Sequence, residues 1–261
     1  MPFARSNDIG IYYEDHGDGP ALLLVPGIPA ISSDWFPFAD RLKEHSHVVV
    51  YDNRGSGRSD APPGPYSTRQ LAVDAVAVLD ALGIERAHVF GVSMGGMIAQ
   101  ELALGFPERV DRLVLGSTQA STQAAVRPRR DVSLAFAFET DDWAERMRVL
   151  APFAFAPDVD PQLLAKFIDK KSGDVHPEDG YRGQIAAFLA HDALDRLGSI
   201  DRPTLVIAGS QDAVIPAENS ETLREGIPQA RLEVIDGAGH LFFIEQPERT
   251  LVTLETFLLD Y

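Results

Sequence analysis

"HVFGVSMGGMIAQELALGFPERVDRLVLGS", His88–Ser117, runs from a β-rich segment through a serine and two glycines into an amphipathic helix, then into a second β-rich run. Strand, tight turn, helix, strand is the order of a βαβ unit in a parallel sheet. At the turn, Gly91-Val92-Ser93-Met94-Gly95 has the G-x-S-x-G spacing of a nucleophile elbow. In such an elbow a sharp strand-to-helix turn lifts the serine hydroxyl above the sheet. The flanking positions are small because the backbone there leaves no room for side chains. A capped helix with punctuating glycines would use the same letters, so the rest of the chain must decide.

Working outward, the pattern repeats. Ala21–Gly27, His47–Asp52, Arg112–Ser117, Thr204–Ser210 and Arg231–Asp236 read as strands, several of them apolar almost throughout. Such runs suit a parallel sheet covered by helices on both faces. Thr68–Leu82, Met94–Phe106, Glu218–Gly226 and Pro247–Leu259 carry helical spacing. Between residues 119 and 198 no strand pattern occurs. That stretch is rich in aromatic residues, broken by Pro128, Pro152, Pro157, Pro161 and Pro177, and too long for a loop. The expected organisation is therefore an α/β core from residues 1–118 and 199–261, interrupted by a helical cap over 119–198.

The totals narrow the chemistry. In 261 residues, 23 Lys and Arg stand against 39 Asp and Glu, for a net charge of −16. Such a field repels phosphate backbones and anionic headgroups, so nucleic acid and membrane surfaces are poor partners. The chain has no cysteine, which excludes disulfides, thiolate metal sites and a cysteine nucleophile. Neither a signal-peptide core at the start nor an apolar run of membrane-spanning length is present, and a cytoplasmic location is the expectation.

A serine nucleophile needs a base, and the base needs an acid to orient it. Of seven histidines, His16, His45, His47, His88, His176 and His191 sit in ordinary loop, strand-start or helical surroundings. His240 differs, lying in a glycine-softened loop straight after a strand. The acid belongs between serine and histidine in this chain order. Asp212, in "TLVIAGSQDAVIP", follows a strand directly, whereas its rivals Asp201 and Asp236 read as a pre-strand turn and a strand end. Two amides are needed for the oxyanion of acyl transfer. Met94 opens the helix after the nucleophile, where the helix dipole assists, and Ile28 occupies the turn after an early strand.

Ile28, Ser93, Asp212 and His240 all stand just past the C-terminal end of an expected strand. In a parallel sheet those ends share one edge, where ligands bind. The glycines of "YDNRGSGRSD" do not make a dinucleotide site, because Asp60 occupies the third glycine position and no helix opens there. No H-e-x-x-H spacing or histidine–carboxylate cluster suggests a metal.

"PGIP", "YDNRGSGRSD", "GVSMGGMIAQELALGFPERV", "GSQDAVIP" and "GAGHLFFIEQPE" together resemble the α/β-hydrolase fold enzymes over essentially the whole chain. The resemblance implies Ser93 as nucleophile, His240 as base, Asp212 as orienting acid, Ile28 and Met94 as oxyanion donors, and a cap over the pocket. Many relatives have His-Gly where this chain has Pro26-Gly27. An aspartate at the elbow would mark dehalogenase-like or epoxide-hydrolase-like members, and here Ser93 stands instead. Carbon–carbon hydrolases commonly carry a Trp after the histidine, where this chain has Leu241. The length and "SMGGMIAQELAL" are similar to small carboxylesterases and 3-oxoadipate enol-lactonases.

The expectation is thus a cofactor-independent hydrolase of a small, largely apolar ester or lactone, with no assembly partner assigned. Trp143 and Phe242 are candidate pocket walls. Arg127, Arg129 and Arg130 are the candidate cations for a carboxylated lactone, against a solvated surface run. The same triad also serves C–C hydrolysis and peracid chemistry, and the fold alone permits a binding protein without turnover.

Overall fold

A computed structural model describes residues 2–259. Its sheet has eight strands: β1 (Phe3–Ser6), β2 (Ile9–His16), β3 (Ala21–Val25), β4 (His47–Tyr51), β5 (Ala87–Val92), β6 (Val110–Gly116), β7 (Thr204–Gly209) and β8 (Arg231–Ile235). They lie in the order β1-β2-β4-β3-β5-β6-β7-β8. β1 pairs antiparallel with β2, and β2 antiparallel with β4, while every later pairing is parallel. The β1–β2 hairpin was not expected from sequence. It forms an antiparallel edge whose exposure alternates along the strand, so it lacks the continuous apolar run that marks β3 to β7.

Alternation across the pleat feeds two cores. Leu23 and Val25 of β3 join Val49, Tyr51 and Val89 under α2 (Thr68–Ala81) and α3 (Met94–Gly105). Leu22 and Leu24 point the other way, with Val48, Val50 and Phe90, to meet α1 (Phe38–Leu42) and the C-terminal helix Pro247–Leu258. Full burial of one such side chain stabilises by roughly 1.5–3 kcal/mol, so both faces of the central strands contribute.

Between β6 and β7 the described residues form helices and one isolated bridge, Ser121 to Asp192. The helices are α4 (Arg130–Phe136), α5 (Trp143–Leu150), α6 (Pro161–Ser172) and α7 (Glu178–Ala190). Asp142 caps α5 by accepting from the Ala144 and Glu145 amides, and Asp160 caps α6, with Pro161 at its first position. This cap rests on loops that leave the C-terminal strand ends. The Gly57 amide donates to the Val175 carbonyl (2.9 Å), and the Leu241 amide donates to the Ala154 carbonyl (2.9 Å). The chain returns through α8 (Glu218–Gly226), α9 (Phe242–Glu245) and α10 (Pro247–Leu258). No helix among the described residues is long and apolar enough to cross a membrane.

Candidate active site

Ser93, between β5 and α3, has φ +60° and ψ −126°, a conformation that non-glycine residues rarely adopt. Its neighbours explain the strain. A Cβ on Gly91 would come within 2.5 Å of the Gly95 carbonyl carbon, and one on Gly95 within 2.8 Å of the Val25 carbonyl carbon. Either would break the contact between helix, strand and turn. The turn is held by the Ser93 amide donating to the Gly116 carbonyl (2.9 Å) and by the Thr118 hydroxyl donating to the Ser93 carbonyl (2.7 Å).

The loop after β3 is interlocked with this elbow. A Cβ on Gly27 would lie 2.9 Å from the Ser93 Cβ, so the peptide leading to Ile28 abuts the serine. Ile28 and Met94, the two expected oxyanion donors, thus each lie one residue from this contact, Ile28 after Gly27 and Met94 after Ser93. Met94 is the first residue of α3, where helix amides have no partner within the helix.

Asp212 and His240 meet at the ends of β7 and β8. His240 Nδ1 lies 2.8 Å from Asp212 Oδ2, and Asp212 Oδ1 accepts from the Val214 and Ile215 amides, each at 2.9 Å. With a carboxyl oxygen as its partner, Nδ1 is the donor, which leaves Nε2 with its lone pair. The Gln211 amide donates to the Ala238 carbonyl (2.8 Å) and so joins the two loops. Ser93, Asp212 and His240 are 9%, 7% and 6% exposed. All three follow the C-terminal ends of parallel strands.

Two residues absent from the sequence reading brace the Ile28 loop. Asn53 Nδ2 donates to the Pro26 carbonyl (2.9 Å), and Asp52 Oδ1 accepts from the Ser32 amide (2.6 Å). The signal was "YDNRGSGRSD", whose glycines serve close approach: a Cβ on Gly55 would sit 2.6 Å from Gly180 Cα of the cap.

The pocket candidates fare differently. Phe242 is fully buried in the core with Phe90, Val92 and Phe243, and its ring fills the space beside Gly116. It has no accessible surface to offer a substrate, and the expectation of a pocket wall is corrected accordingly. The helix that begins at this residue turns its ring under the sheet. Trp143 is half-buried within the cap: its Nε1 donates to the Lys171 carbonyl (2.9 Å), and its ring stacks on His176 with centroids 4.4 Å apart. Arg127, Arg129 and Arg130 are exposed, and Arg129 pairs with Asp131 (2.8 Å). Four other histidines are engaged elsewhere, His16 near Glu14, His47 with Asp15, His88 near Asp111 and His191 with Thr68, and His45 is exposed. Among the described residues no group of three or more histidine and acidic side chains is placed to hold a metal ion.

Residues 20–247 match the family model for the alpha/beta hydrolase fold. The chain is 34% identical to a protein of Azorhizobium caulinodans named "Putative carbamate hydrolase RutD", across 95% of this chain and 94% of that one. It is 32% identical to 3-oxoadipate enol-lactonase 2 of Acinetobacter baylyi, across 93% and 91%. The crystal structure of the enol-lactonase from Burkholderia xenovorans superposes with a TM-score of 0.88 at 29% identity, covering 99% of this chain and all of that one.

Proposed function

The chain belongs to the α/β-hydrolase fold family, and from that premise we propose that it is a serine hydrolase cleaving a small carboxylic ester or lactone through an acyl-enzyme. The observation that carries the reading is the Asp212–His240 pair (2.8 Å), at the same sheet edge as a strained Ser93. Ser93 Oγ attacks the acyl carbon while His240 Nε2 takes its proton. Asp212 holds the imidazole tautomer and stabilises the imidazolium. Negative charge on the former carbonyl oxygen falls to the Ile28 and Met94 amides. Collapse expels the alcohol, which receives the proton from His240. Water, deprotonated by the same nitrogen, then releases the acid and restores Ser93.

The cap over residues 119–198 is read as the lid that shapes the pocket and excludes water. A carbamate differs from an ester by a nitrogen on the acyl carbon and could be cleaved by the same groups, a second reading favoured by the RutD relative. Ser93→Ala decides the central claim. Turnover of an activated neutral ester is expected to fall by about 10⁶-fold, with thermal unfolding unchanged, because alanine keeps the Cβ and the same strained backbone. Retained turnover would refute the assignment. Comparing lactone, ester and carbamate rates of the wild type then ranks the two readings.

A further inference from the structure

His240 is fastened from behind as well as through Asp212. Glu245, the last residue of α9, lies half-buried between the histidine loop and the cap. Its Oε1 accepts from the Gly239 amide (2.8 Å), one residue before His240. Its Oε2 accepts from the Ala156 amide (3.1 Å), in the cap segment between its second and third helices. One carboxylate therefore bridges two backbones. Those backbones already touch, because a Cβ on Gly239 would lie 2.5 Å from the Ala156 nitrogen. A third bond, from the Leu241 amide to the Ala154 carbonyl (2.9 Å), closes the junction on the other side of His240.

We propose that Glu245 is a positioning residue for the base: it fixes the Gly239–His240 peptide and makes the cap turn Ala154–Ala156 part of the same frame. The inference rests on the reading of His240 as the general base. Only a carboxylate of this length meets the geometry. Glutamine offers one acceptor and turns an NH₂ donor toward the other amide, while aspartate is one methylene short. The charged groups facing Glu245 are Asp158 of the cap and Asp212 of the β7 loop. Burial first, and these two carboxylates further, push its carboxyl above the usual range, against the pull of the two amides.

The test measures kcat, KM and the pH profile of kcat/KM on a neutral ester for wild type, Glu245→Gln, Glu245→Asp and Ser93→Ala. In Glu245→Gln, kcat is expected to fall about tenfold to a hundredfold, with KM nearly unchanged. Its acid limb moves to lower pH, because removing a negative charge near the Asp212–His240 pair disfavours the imidazolium. A purely structural role would lower thermal stability without moving that limb. An unmoved limb or a wild-type kcat in this variant overturns the proposal. Should Glu245→Gln fail to fold, Glu245→Asp decides: it keeps the charge and hence the limb, but loses kcat because it cannot bridge. Wild-type kcat there overturns the proposal equally. Ser93→Ala separates the two claims, since activity in that variant sinks the hydrolase reading itself.

Discussion

At the elbow, backbone meets backbone: Gly91 lies against Gly95, Gly95 against Val25, and Gly27 against Ser93. Where the cap meets the core beside the Ile28 loop, charge meets charge. Lys171 of α6 is buried, its side chain 2% exposed, with Nζ donating to Asp34 Oδ2 (2.6 Å) and to Asp174. Asp34 Oδ2 also accepts from the Ile31 amide (2.9 Å), so this pair reaches the strand-exit loop that carries Ile28. The elbow is thus shaped by excluding atoms, and this seam of the cap is joined by pairing ions. Steric exclusion fails all at once when a carbon is added, whereas an ion-pair seam fails in proportion to the charge removed.

The sharpest way to break the first half is Gly95→Ala. The new Cβ would collide with the Val25 carbonyl, a backbone group with no flexible end to yield. We expect a loss of roughly 4 kcal/mol or more in urea unfolding, and ester turnover reduced beyond a thousandfold. Gly105 sits at the end of the same helix with nothing within 4 Å of its added Cβ. Gly105→Ala should therefore leave both measurements close to wild type. Equal damage in the two variants would show that close approach does not govern the elbow.

Lys171→Ala tests the second half. It leaves the largely buried carboxylates of Asp34 and Asp174 without their main cation, with only Lys170 at 3.5 Å from Asp34 and His176 at 3.7 Å from Asp174. Breaking such a pair costs about 3–5 kcal/mol. Because the two main cores do not include this site, the loss should appear as cap loosening. Limited proteolysis would then cut within residues 119–198 before the core unfolds. Unchanged protease resistance would mean that the backbone hydrogen bonds from Gly57 to Val175 and from Leu241 to Ala154, not the ions, fasten the cap.

The same contrast explains what could be read in advance. β3 to β8 and the longer helices carry local signals: apolar runs, helical spacing and breakers at their ends. Ser93, Asp212, His240, Ile28 and Met94 stand out as candidates because each lies in the turn after an expected strand or opens a helix. The short helices α1 and α9 hold too few residues for a period, and with α9 went the orientation of Phe242. The seam was illegible for a different reason. Lys171 and Asp34 lie 137 positions apart, and neither residue has a local pattern that names the other. Glu245 stood in a quoted motif, yet its partners are backbone amides, which every residue supplies.

The smallest of the expected effects concerns the second cap seam, where α7 ends. His191 is fully buried there, 3.0 Å from the Thr68 hydroxyl, and its carbonyl accepts from the Thr122 amide (3.1 Å) across the Ser121–Asp192 bridge. Burial pushes its imidazole down to about 4, with Arg196 pushing the same way and Glu101 and Asp192 opposing. The folded value lies below the unfolded one near 6.5, so between them the unfolded chain binds the extra proton. The contribution is then complete above pH 6.5 and drains away as the pH falls toward 4, amounting to about 3 kcal/mol. Burial lowers His88 and His176 in the same sense, so a variant without His191 keeps some acid sensitivity. His191→Gln should flatten urea stability across that window by its own share, and the gain should be traceable to slower proteolysis of the cap in acid. If the variant loses as much stability on acidification as the wild type, the seam tolerates a protonated imidazole, and His191 is not the source of the acid sensitivity.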